Sequence, residues 1–474
     1  MNPMGYLWAV LYGMGLLALS FVVYRLGASK LYTRKLVHIG IGAEFFILDA
    51  FFGPSIQFIL VCIAFTAALF VNHRVRIFRM MESDGDNDPG SVYYGVSMVV
   101  MAVVTYLMPD SMPYFGCAVL VLSVGDGFAG IVGASVRRHN PVFYRNKSLF
   151  GSLSMAITSF VALLIYRPYS GLSIYECLCL SLLACGCEIL SRCGRDNLFV
   201  PLISFFYLIL THSISAFRDG ALGIALTPLL VVLTVCTRKL TMRGAVTAAL
   251  VNLTVSLSLG DRGFWLLILY FALCGVADHL KRTDIGDHAK KGECRDELQV
   301  LANGFIGTLA AFLYFISADT AFLFGFLIAF SESLGDTVAS GMGSRSRATY
   351  DIFRRCAVEA GTSGGVSLFG SFCALVAIVA FSAIFGLVFS LNLWWVLLAA
   401  LISYLGVFID SALGSLVQAR YQCTVCDRQT EQSHHCGRSA RQISGIPHFD
   451  NDLVNFLSGA AATFVGCLAF FFLF

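Results

Sequence analysis

Long apolar stretches recur along the whole chain, and each is about as long as a helix that crosses a lipid bilayer. Sixteen such stretches can be read between polar breaks. They cover residues 4–24, 36–52, 55–71, 92–108, 114–135, 149–166, 174–190, 198–216, 220–236, 244–259, 263–280, 300–317, 320–341, 365–391, 394–416 and 453–473. The pattern predicts an all-α polytopic membrane protein with about sixteen transmembrane helices.

The composition excludes several other classes of protein. Only 13% of the residues are charged, whereas soluble domains carry roughly 25%. This argues against a soluble enzyme, a disordered chain, a coiled coil or a nucleic-acid-binding protein. An outer-membrane barrel would instead show segments of about ten residues with alternating polarity.

The basic residues predict the orientation in the membrane. With the N-terminus outside, the loops on the cytoplasmic side hold 29 of the 32 Lys and Arg residues. Such an excess is typical of cytoplasmic loops. The sequence therefore predicts that both termini lie outside. We expect an integral protein of the bacterial cytoplasmic membrane whose active sites face the cytoplasm.

Five landmarks recur in the same order in the two halves of the chain. Residues 33–36, 125–133, 148–152, Glu188 and 196–198 are matched by 237–240, 335–343, 367–371, Asp410 and 450–453. Five matches in one order argue for an internal duplication. Because each half has eight predicted spans, an even number, both copies have the same orientation in the membrane. The sequence thus predicts two parallel eight-helix repeats, residues 1–219 and 220–474.

Carboxylates fall within or beside the predicted spans of both halves. A charged side chain inside a span costs roughly 2.5–3.5 kcal/mol on insertion scales, so it needs a cation, a partner or a water-filled cavity. Mg²⁺ typically takes one or two carboxylates plus substrate phosphates. We therefore expect Asp126 and Asp336 to bind Mg²⁺ and to be catalytic, with Glu188 and Asp410 as further metal ligands.

Basic, hydroxyl and glycine residues near these acids predict phosphate binding. Lys147 supplies a point charge and is expected to be catalytic. Glycines leave backbone N–H groups exposed, and these can donate hydrogen bonds to phosphate oxygens. Phosphoryl transfer requires mainly positioning and charge neutralisation. The residues expected to bind nucleotide or phosphate are Arg34, Lys35, His38, Gly125, Gly130, Gly133, Ser148, Gly151, Ser152, Asp196, Asn197, Gly335, Gly361, Thr362, Ser363, Gly364, Gly365, Asp450 and Asn451.

Simpler interpretations of these features stay open. A membrane-embedded Asp also occurs in ion pathways, and Gly-x-x-x-Gly spacing often serves helix packing alone. The basic residues at 34–38 could anchor helix 36–52 at the membrane surface. The acidic run at 84–88 fits a solvated loop better than a second metal site.

One cysteine cluster has the spacing of a metal site. Cys423 and Cys426 are followed by His435 and Cys436 in the loop 417–452. Three Cys and one His could close a tetrahedral structural Zn²⁺ site. The alternative is a set of free cytosolic thiols. Because the first half has no counterpart, we interpret the cluster as an insertion between Asp410 and Asp450.

The motifs of the first half resemble the dolichol kinase and phytol kinase family. They are RKLVH at 34–38, GDGFAGIVG at 125–133, KSLFGS at 147–152 and the pattern from Glu188 to the DNL at 196–198. The resemblance implies a membrane enzyme that phosphorylates a long-chain isoprenoid alcohol, typically with CTP. That family is distantly similar to lipid-phosphate cytidylyltransferases.

The second half resembles a related family whose plant members look like phytyl-phosphate kinases. Its motifs are DELQVLANG at 296–304, ESLGDTVASGMG at 332–343, GTSGGVSLFGS at 361–371, DSALGS at 410–415, CTVC at 423–426, HCG at 435–437 and DNDLVN at 450–455. One departure concerns Val366, which aligns with Lys147. The second site must therefore bind the negatively charged phosphate through nearby arginines or the glycine stretch.

Together the two resemblances imply a bifunctional kinase. The first half would convert an isoprenoid alcohol to its monophosphate, and the second would convert the monophosphate to the diphosphate, with CTP and Mg²⁺. A lipid-phosphate cytidylyltransferase is the first alternative, and it differs in its nucleotide product. A transporter is the second, although the polar landmarks gather at one face and not near the midplane.

Overall fold

A computed structural model of the protein describes residues 3–75, 89–136, 140–145, 147–281, 294–360, 362–427, 429–431 and 433–473. The chain forms two compact units, Met1–Cys236 and Thr237–Phe474. The sequence division at 219/220 assigns residues 221–236 to the second half. In the structure this helix packs inside the first unit, where Gly186 lies against Pro228. The division between units therefore falls one helix further along the chain.

The first unit is a helical bundle around a core of aromatic side chains. Phe45, Phe58, Phe115 and Phe205 are fully buried and contact one another through their rings. The helices of this unit are α1 (Pro3–Arg25), α2 (Lys30–Phe52), α3 (Ile56–Val75), α4 (Gly90–Leu107), α5 (Met112–Leu120), α6 (Gly127–Ser135), α7 (Leu149–Ser170), α8 (Ile174–Leu190), α9 (Asp196–Ser213), α10 (Ser215–Asp219) and α11 (Ala221–Cys236).

α5 and α6 are joined by a π-helical turn, Val121–Asp126. Such turns are rare and are found frequently at functional sites. The turn ends at Asp126, the acid that the sequence singles out. The change in helical winding therefore occurs directly at this carboxylate.

The second unit is also helical. Its helices are α12 (Met242–Leu280), α13 (Glu297–Ser317), α14 (Thr320–Gly343), α15 (Leu368–Phe389), α16 (Leu393–Leu416) and α17 (Asn451–Leu473). α12 consists of two helices joined at Gly260, whose φ of 66° and ψ of −165° suit glycine. It therefore accounts for two of the predicted stretches. Asp296 caps α13 through a capping box with Gln299.

Eleven helices of the described chain are long and apolar enough to cross a membrane. They are α1, α3, α4, the segment Pro109–Ser135, α7, α12, α13, α14, α15, α16 and α17. Large apolar side chains remain exposed on them, including Ile165 at 74% and Leu387 at 81%. Such surfaces suit contact with lipid tails. The all-α polytopic architecture is confirmed, whereas the count of sixteen spans, the parallel eight-helix repeats and the outward termini stay predictions.

Short strands, which the sequence did not predict, connect some of the helices. β1 (Val142–Tyr144) and β2 (Lys147–Ser148) form a hairpin before α7, and β3 (Thr349–Asp351) and β4 (Cys356–Val358) form one before α15. The remaining strands lie between α16 and α17. They are β5 (Arg420–Gln422), β6 (Gln429–Thr430), β7 (His434–His435), β8 (Arg438–Ser439) and β9 (Arg441–Ser444).

Candidate functional site

Asp126 is a buried carboxylate held by two basic side chains of α2. Lys35 Nζ lies 2.6 Å from Asp126 Oδ2 and donates to the Asp126 carbonyl oxygen at 3.0 Å. His38 Nε2 lies 3.2 Å from the same Oδ2. The side chains of Lys35 and Asp126 are each only 11% exposed. Lys35 is thus a buried partner of Asp126.

Two further carboxylates lie beside Asp126. Asp126, Glu188 and Asp196 each offer an oxygen, and these oxygens all lie within 4.8 Å of one another. Lys147 forms an ion pair with Glu188. Burial by itself would lower the pKa of Lys147, but the carboxylates of Glu188 and Asp196 outweigh it and raise that pKa. The set combines hard oxygen ligands with fixed positive charge, which suits a Mg²⁺ ion with a phosphate.

A cavity of about 180 Å³ opens beside Asp126. Its polar wall combines residues of α2 with the first turns of α4 and α9. Its apolar wall is formed by Val37, Ile41 and Leu69. The polar lining residues are Arg34, Lys35, His38, Ser91, Asp126, Asp196 and Asn197.

Several residues of the cavity wall, among them Tyr94, Gly194, Ile41 and Leu69, are not predicted as site residues by the sequence. Tyr94 lies one turn after Gly90 and Ser91 at the start of α4, so helical spacing could have identified it. Gly194 precedes Asp196 in a tight turn with a positive φ of 69°. The acidic run at 84–88 lies outside the described residues.

Several glycines predicted to bind phosphate have packing roles in the structure. A Cβ at Gly130 would collide with Lys35 Cε, so this glycine makes room for the lysine. A Cβ at Gly151 would lie 3.5 Å from Gly133 Cα and 2.9 Å from Ser148 Oγ. α6 and α7 therefore cross closely at these residues.

Gly125 and Ser152 also lie inside the helix packing. A Cβ at Gly125 would collide with Ser159. The Ser152 hydroxyl is buried and has no hydrogen-bond partner among the residues that the structure describes. Neither residue lines the cavity, and their predicted contact with phosphate is untested.

The second unit repeats this helix crossing with matching residues. A Cβ at Gly370 would lie 3.1 Å from Gly343 Cα, 2.9 Å from Ser367 Oγ and 2.7 Å from the Ala339 carbonyl oxygen. These residues occupy the same motif positions as Gly151, Gly133, Ser148 and Ala129. Gly335, at the position of Gly125, packs against Ile378 and Val407.

The acids of the second unit are held by other acids and by neutral groups. The carboxyl groups of Asp336 and Asp410 contact each other. Ser458 Oγ donates to Asp410 Oδ2 at 3.3 Å, and the Asn455 amide nitrogen donates to the same oxygen at 3.1 Å. Glu332 Oε1 is buried without a hydrogen-bond partner in the described ranges. This cluster therefore consists of three acidic side chains, whereas the acids of the first unit lie beside basic side chains.

The basic landmark of the second unit has a different setting. Lys239 matches Lys35 in sequence, but it lies exposed in the turn before α12. A positive charge near Asp336 comes instead from Lys281 at the end of α12. Val366 forms a backbone bridge with Tyr350 at the position that Lys147 occupies in the first unit. The match of residues 33–36 with 237–240 therefore does not extend to their structure.

The glycine stretch of the second unit forms a packed turn and does not open a helix. α15 begins at Leu368, and the Thr362 and Gly365 N–H groups donate to carbonyls within the turn. Ser363 Oγ donates to Gln418 Oε1 at 2.5 Å. A Cβ at Gly364, whose φ is 77°, would lie 2.5 Å from the Ser415 nitrogen. Gly361 lies outside the described residues, and phosphate binding by this stretch stays a prediction.

Asp450 and Asn451 lie at the start of α17. Asp450 Oδ1 accepts a hydrogen bond from the Leu453 N–H at 3.0 Å, which caps the helix. The Asn451 carbonyl accepts from the same Asn455 amide nitrogen at 3.0 Å that donates to Asp410. Asn451 is therefore connected to the acidic cluster, whereas Asp450 has a capping role.

The predicted zinc ligands converge. Cys423, Cys426, His435 and Cys436 each offer an atom, and these atoms all lie within 4.8 Å of one another. They belong to the strands and turns between α16 and α17.

Comparisons with known proteins agree with the sequence resemblance. The family model described as integral membrane protein DUF92 matches residues 225–463. The phytol kinase of Synechocystis is 30% identical over 176 residues, which cover 36% of this chain and 75% of that protein. The farnesol kinase of Arabidopsis thaliana is 31% identical over 148 residues, which cover 29% of this chain and 47% of that protein.

Protein PGR of Arabidopsis thaliana is 26% identical over 269 residues, which cover 50% of this chain and 91% of that protein. No solved structure matches the chain. The match to the family model spans half of the sequence and includes the acidic cluster and cysteine module of the second unit. The chain therefore belongs to the integral membrane protein DUF92 family, and it is also a relative of phytol kinase.

Proposed function

We propose that the first unit phosphorylates an isoprenoid alcohol of the phytol or geranylgeraniol type, with CTP and Mg²⁺. The observation that carries this proposal is the buried Asp126–Lys35–His38 group, which lies beside Glu188 and Asp196. It joins carboxylates that can hold a cation to basic groups that can hold phosphate. The names of the phytol kinase and farnesol kinase relatives support the same chemistry.

The site residues would share the work of phosphoryl transfer. Asp126 with Glu188 or Asp196 would hold Mg²⁺, which neutralises phosphate charge when bound. Lys35, Arg34 and Lys147 would position the phosphates. The alcohol oxygen then bonds to the γ-phosphorus as the bond to CDP breaks, and the hydroxyl proton leaves to a carboxylate of the site.

The cavity has a wall that suits an isoprenoid substrate. Val37, Ile41 and Leu69 line the cavity together with the polar residues. An alkyl chain buried against such side chains gains about 0.8 kcal/mol for each CH₂. The hydroxyl end would then face Asp126 while the tail remains in apolar surroundings.

We further propose that the second unit phosphorylates the monophosphate to the diphosphate, and that the two units are repeats of one design. The support is the matching crossing at Gly133–Gly151 and Gly343–Gly370. In this proposal Asp336 and Asp410 hold Mg²⁺. Two acids in contact favour the binding of a cation, because like charges at short range repel each other.

Labelled nucleotides test this function. Purified protein is incubated with Mg²⁺, geranylgeraniol and CTP labelled at either the γ- or the α-phosphate. We expect γ-label in the lipid, whereas α-label should remain in the nucleotides, as CTP and its product CDP. Transfer of α-label to lipid, with release of pyrophosphate, would instead identify a cytidylyltransferase. If neither label reaches any alcohol or monophosphate, the kinase proposal fails and a transporter becomes the better hypothesis.

Asp110→Asn is a suitable control for variants of the site acids. Asp110 is an exposed carboxylate of the first unit, and it does not line the cavity. Its variant should transfer label like the unmodified protein. A loss of activity in Asp126→Asn alone would then connect the chemistry to the site.

A further inference from the structure

The strands between α16 and α17 form a small module with its own candidate metal site. β6, β5 and β9 make a three-stranded antiparallel sheet, and β7 and β8 make a separate hairpin. Cys423 and Cys426 lie at the end of β5 and in the turn after it, and His435 and Cys436 lie at the end of β7. The two segments bring their ligand atoms together.

The distances among three of these atoms, those of Cys426, His435 and Cys436, agree with those around one tetrahedral ion, and the Cys423 atom lies within 4.8 Å of each. Zn–S bonds of about 2.3 Å and Zn–N bonds of about 2.0–2.1 Å require roughly 3.8 Å between two sulfurs and roughly 3.5 Å between sulfur and nitrogen. Cys426 Sγ and Cys436 Sγ are 3.8 Å apart. His435 Nδ1 lies 3.5 Å from Cys426 Sγ and 3.2 Å from Cys436 Sγ.

We infer that Cys423, Cys426, His435 and Cys436 bind one structural Zn²⁺ ion. Four protein ligands close the tetrahedron, so the ion has no open position for catalysis. The Cys423 sulfur also accepts the Val425 N–H at 3.4 Å. This hydrogen bond orients the sulfur as outer contacts commonly do at metal sites.

The structure distinguishes between two adjacent histidines. His434 Nδ1 lies 3.2 Å from Ser433 Oγ, and its Nε2 lies 3.2 Å from Ser439 Oγ. His435 faces the thiols instead. Because successive side chains of a strand point to opposite faces, only one of the pair can face the ion. His435 is therefore the ligand, and His434 provides a matched control.

The module ties the end of α16 to the start of α17. The Ala419 N–H donates to the Phe449 carbonyl at 2.8 Å, and the Ile446 N–H donates to the Val417 carbonyl at 2.9 Å. Arg420 Nη2 donates to the Ser363 carbonyl at 2.7 Å. The helices joined in this way carry Asp410 and Asn455. The zinc module thus holds the second acidic cluster together, a role that rests on the proposed function.

Metal analysis of the full-length protein tests the zinc site independently of activity. The protein is purified in detergent from zinc-supplemented cells, and its zinc content is measured by mass spectrometry. We expect about one zinc per chain in the unmodified protein and in His434→Ala, and at least a tenfold loss in His435→Ala and Cys426→Ser. Cys356→Ser, which changes an exposed cysteine of β4, is the control for cysteine removal.

Cobalt substitution keeps the test valid if a variant misfolds. Co²⁺ added to chelator-treated unmodified protein should give the visible and thiolate charge-transfer bands of a tetrahedral sulfur-rich site. Added Zn²⁺ should abolish these bands. Absence of both zinc and the cobalt bands in the unmodified protein would overturn the inference, as would equal zinc loss in His434→Ala and His435→Ala. Zinc binding without kinase activity would reject only the proposed function.

Discussion

The acidic sites of the two units share their helix crossing but differ in how charge is balanced. In the first unit, Asp126 is paired with Lys35 and Glu188 is paired with Lys147. In the second, Asp336 contacts Asp410, and the further partners of Asp410 are the neutral Ser458 and Asn455. One backbone arrangement can therefore support two different charge patterns. The difference suggests that the sites act on substrates of different charge.

The residue at the position of Gly130 also differs between the two units. In the first unit this glycine leaves space for Lys35. The matching position in the second unit is Ser340, where an exposed side chain is accommodated. A small residue is thus needed only where the lysine crosses the helix. The side chain at this position depends on its packing partner as well as on the motif.

Among variants of the basic residues and glycines, Lys35→Met should have the largest effect. It leaves Asp126 buried without its closest positive partner. We expect phosphorylation of the alcohol to fall roughly 100- to 1,000-fold, with conversion of supplied monophosphate unchanged. Lys239→Met, at the matching but exposed sequence position, should retain both activities. Equal losses in the two variants would contradict the structural difference between these lysines.

Lys147→Val introduces the residue that the second unit has at this position. It removes the positive partner of Glu188, and we expect the first step to fall roughly 10- to 100-fold. Glu188→Gln in the Lys147→Val background should restore thermal stability without restoring activity. If the single variant has normal kinetics with the alcohol, Lys147 has no role in phosphate binding.

Gly130→Ala should have a smaller effect on the same step. The added methyl group displaces Lys35, and we expect about a tenfold loss of alcohol phosphorylation. Gly15→Ala adds a methyl group where no atom lies within 4 Å, and it should leave the rate unchanged. A normal rate for Gly130→Ala would show that the Lys35–Asp126 contact is not needed for catalysis.

Gly364→Ala should affect stability more than chemistry. The residue combines a positive φ with close contact to the Ser415 backbone, so we expect about 1–3 kcal/mol of destabilisation. Gly171→Ala, which has a positive φ of 71° but open space around it, should cost about 1 kcal/mol. Thermal unfolding in detergent measures both. If Gly364→Ala melts normally but loses nucleotide binding, the turn is a phosphate site after all.

Much of the fold could be predicted because the length of an apolar stretch can be read directly from the local sequence. Every predicted stretch lies in or overlaps an observed helix, and α12 contains two of them. The π-helical turn before Asp126 and the two hairpins could not be predicted in this way. The π-helical turn depends on packing against other helices, and the strands of the hairpins are only two or three residues long, too short to show an alternating pattern.

The site was predicted only in part for the same reason. Asp126, Lys35, His38 and Asp196 were identified by residue type, and the structure brings them together. The sequence predicts phosphate binding by the motif glycines, and in the structure Gly130, Gly133 and Gly151 pack against other residues. A sequence shows that a glycine is present, but it does not show which atom approaches it.

The most direct test of the two-site account uses γ-labelled CTP, Mg²⁺ and geranylgeraniol with the unmodified protein, Asp126→Asn and Asp336→Asn. The account predicts diphosphate from the unmodified protein, monophosphate alone from Asp336→Asn, and neither product from Asp126→Asn. Asp126→Asn should still convert supplied monophosphate to the diphosphate. Normal diphosphate formation by Asp336→Asn, or loss of both steps in each variant, would contradict the assignment of one step to each unit.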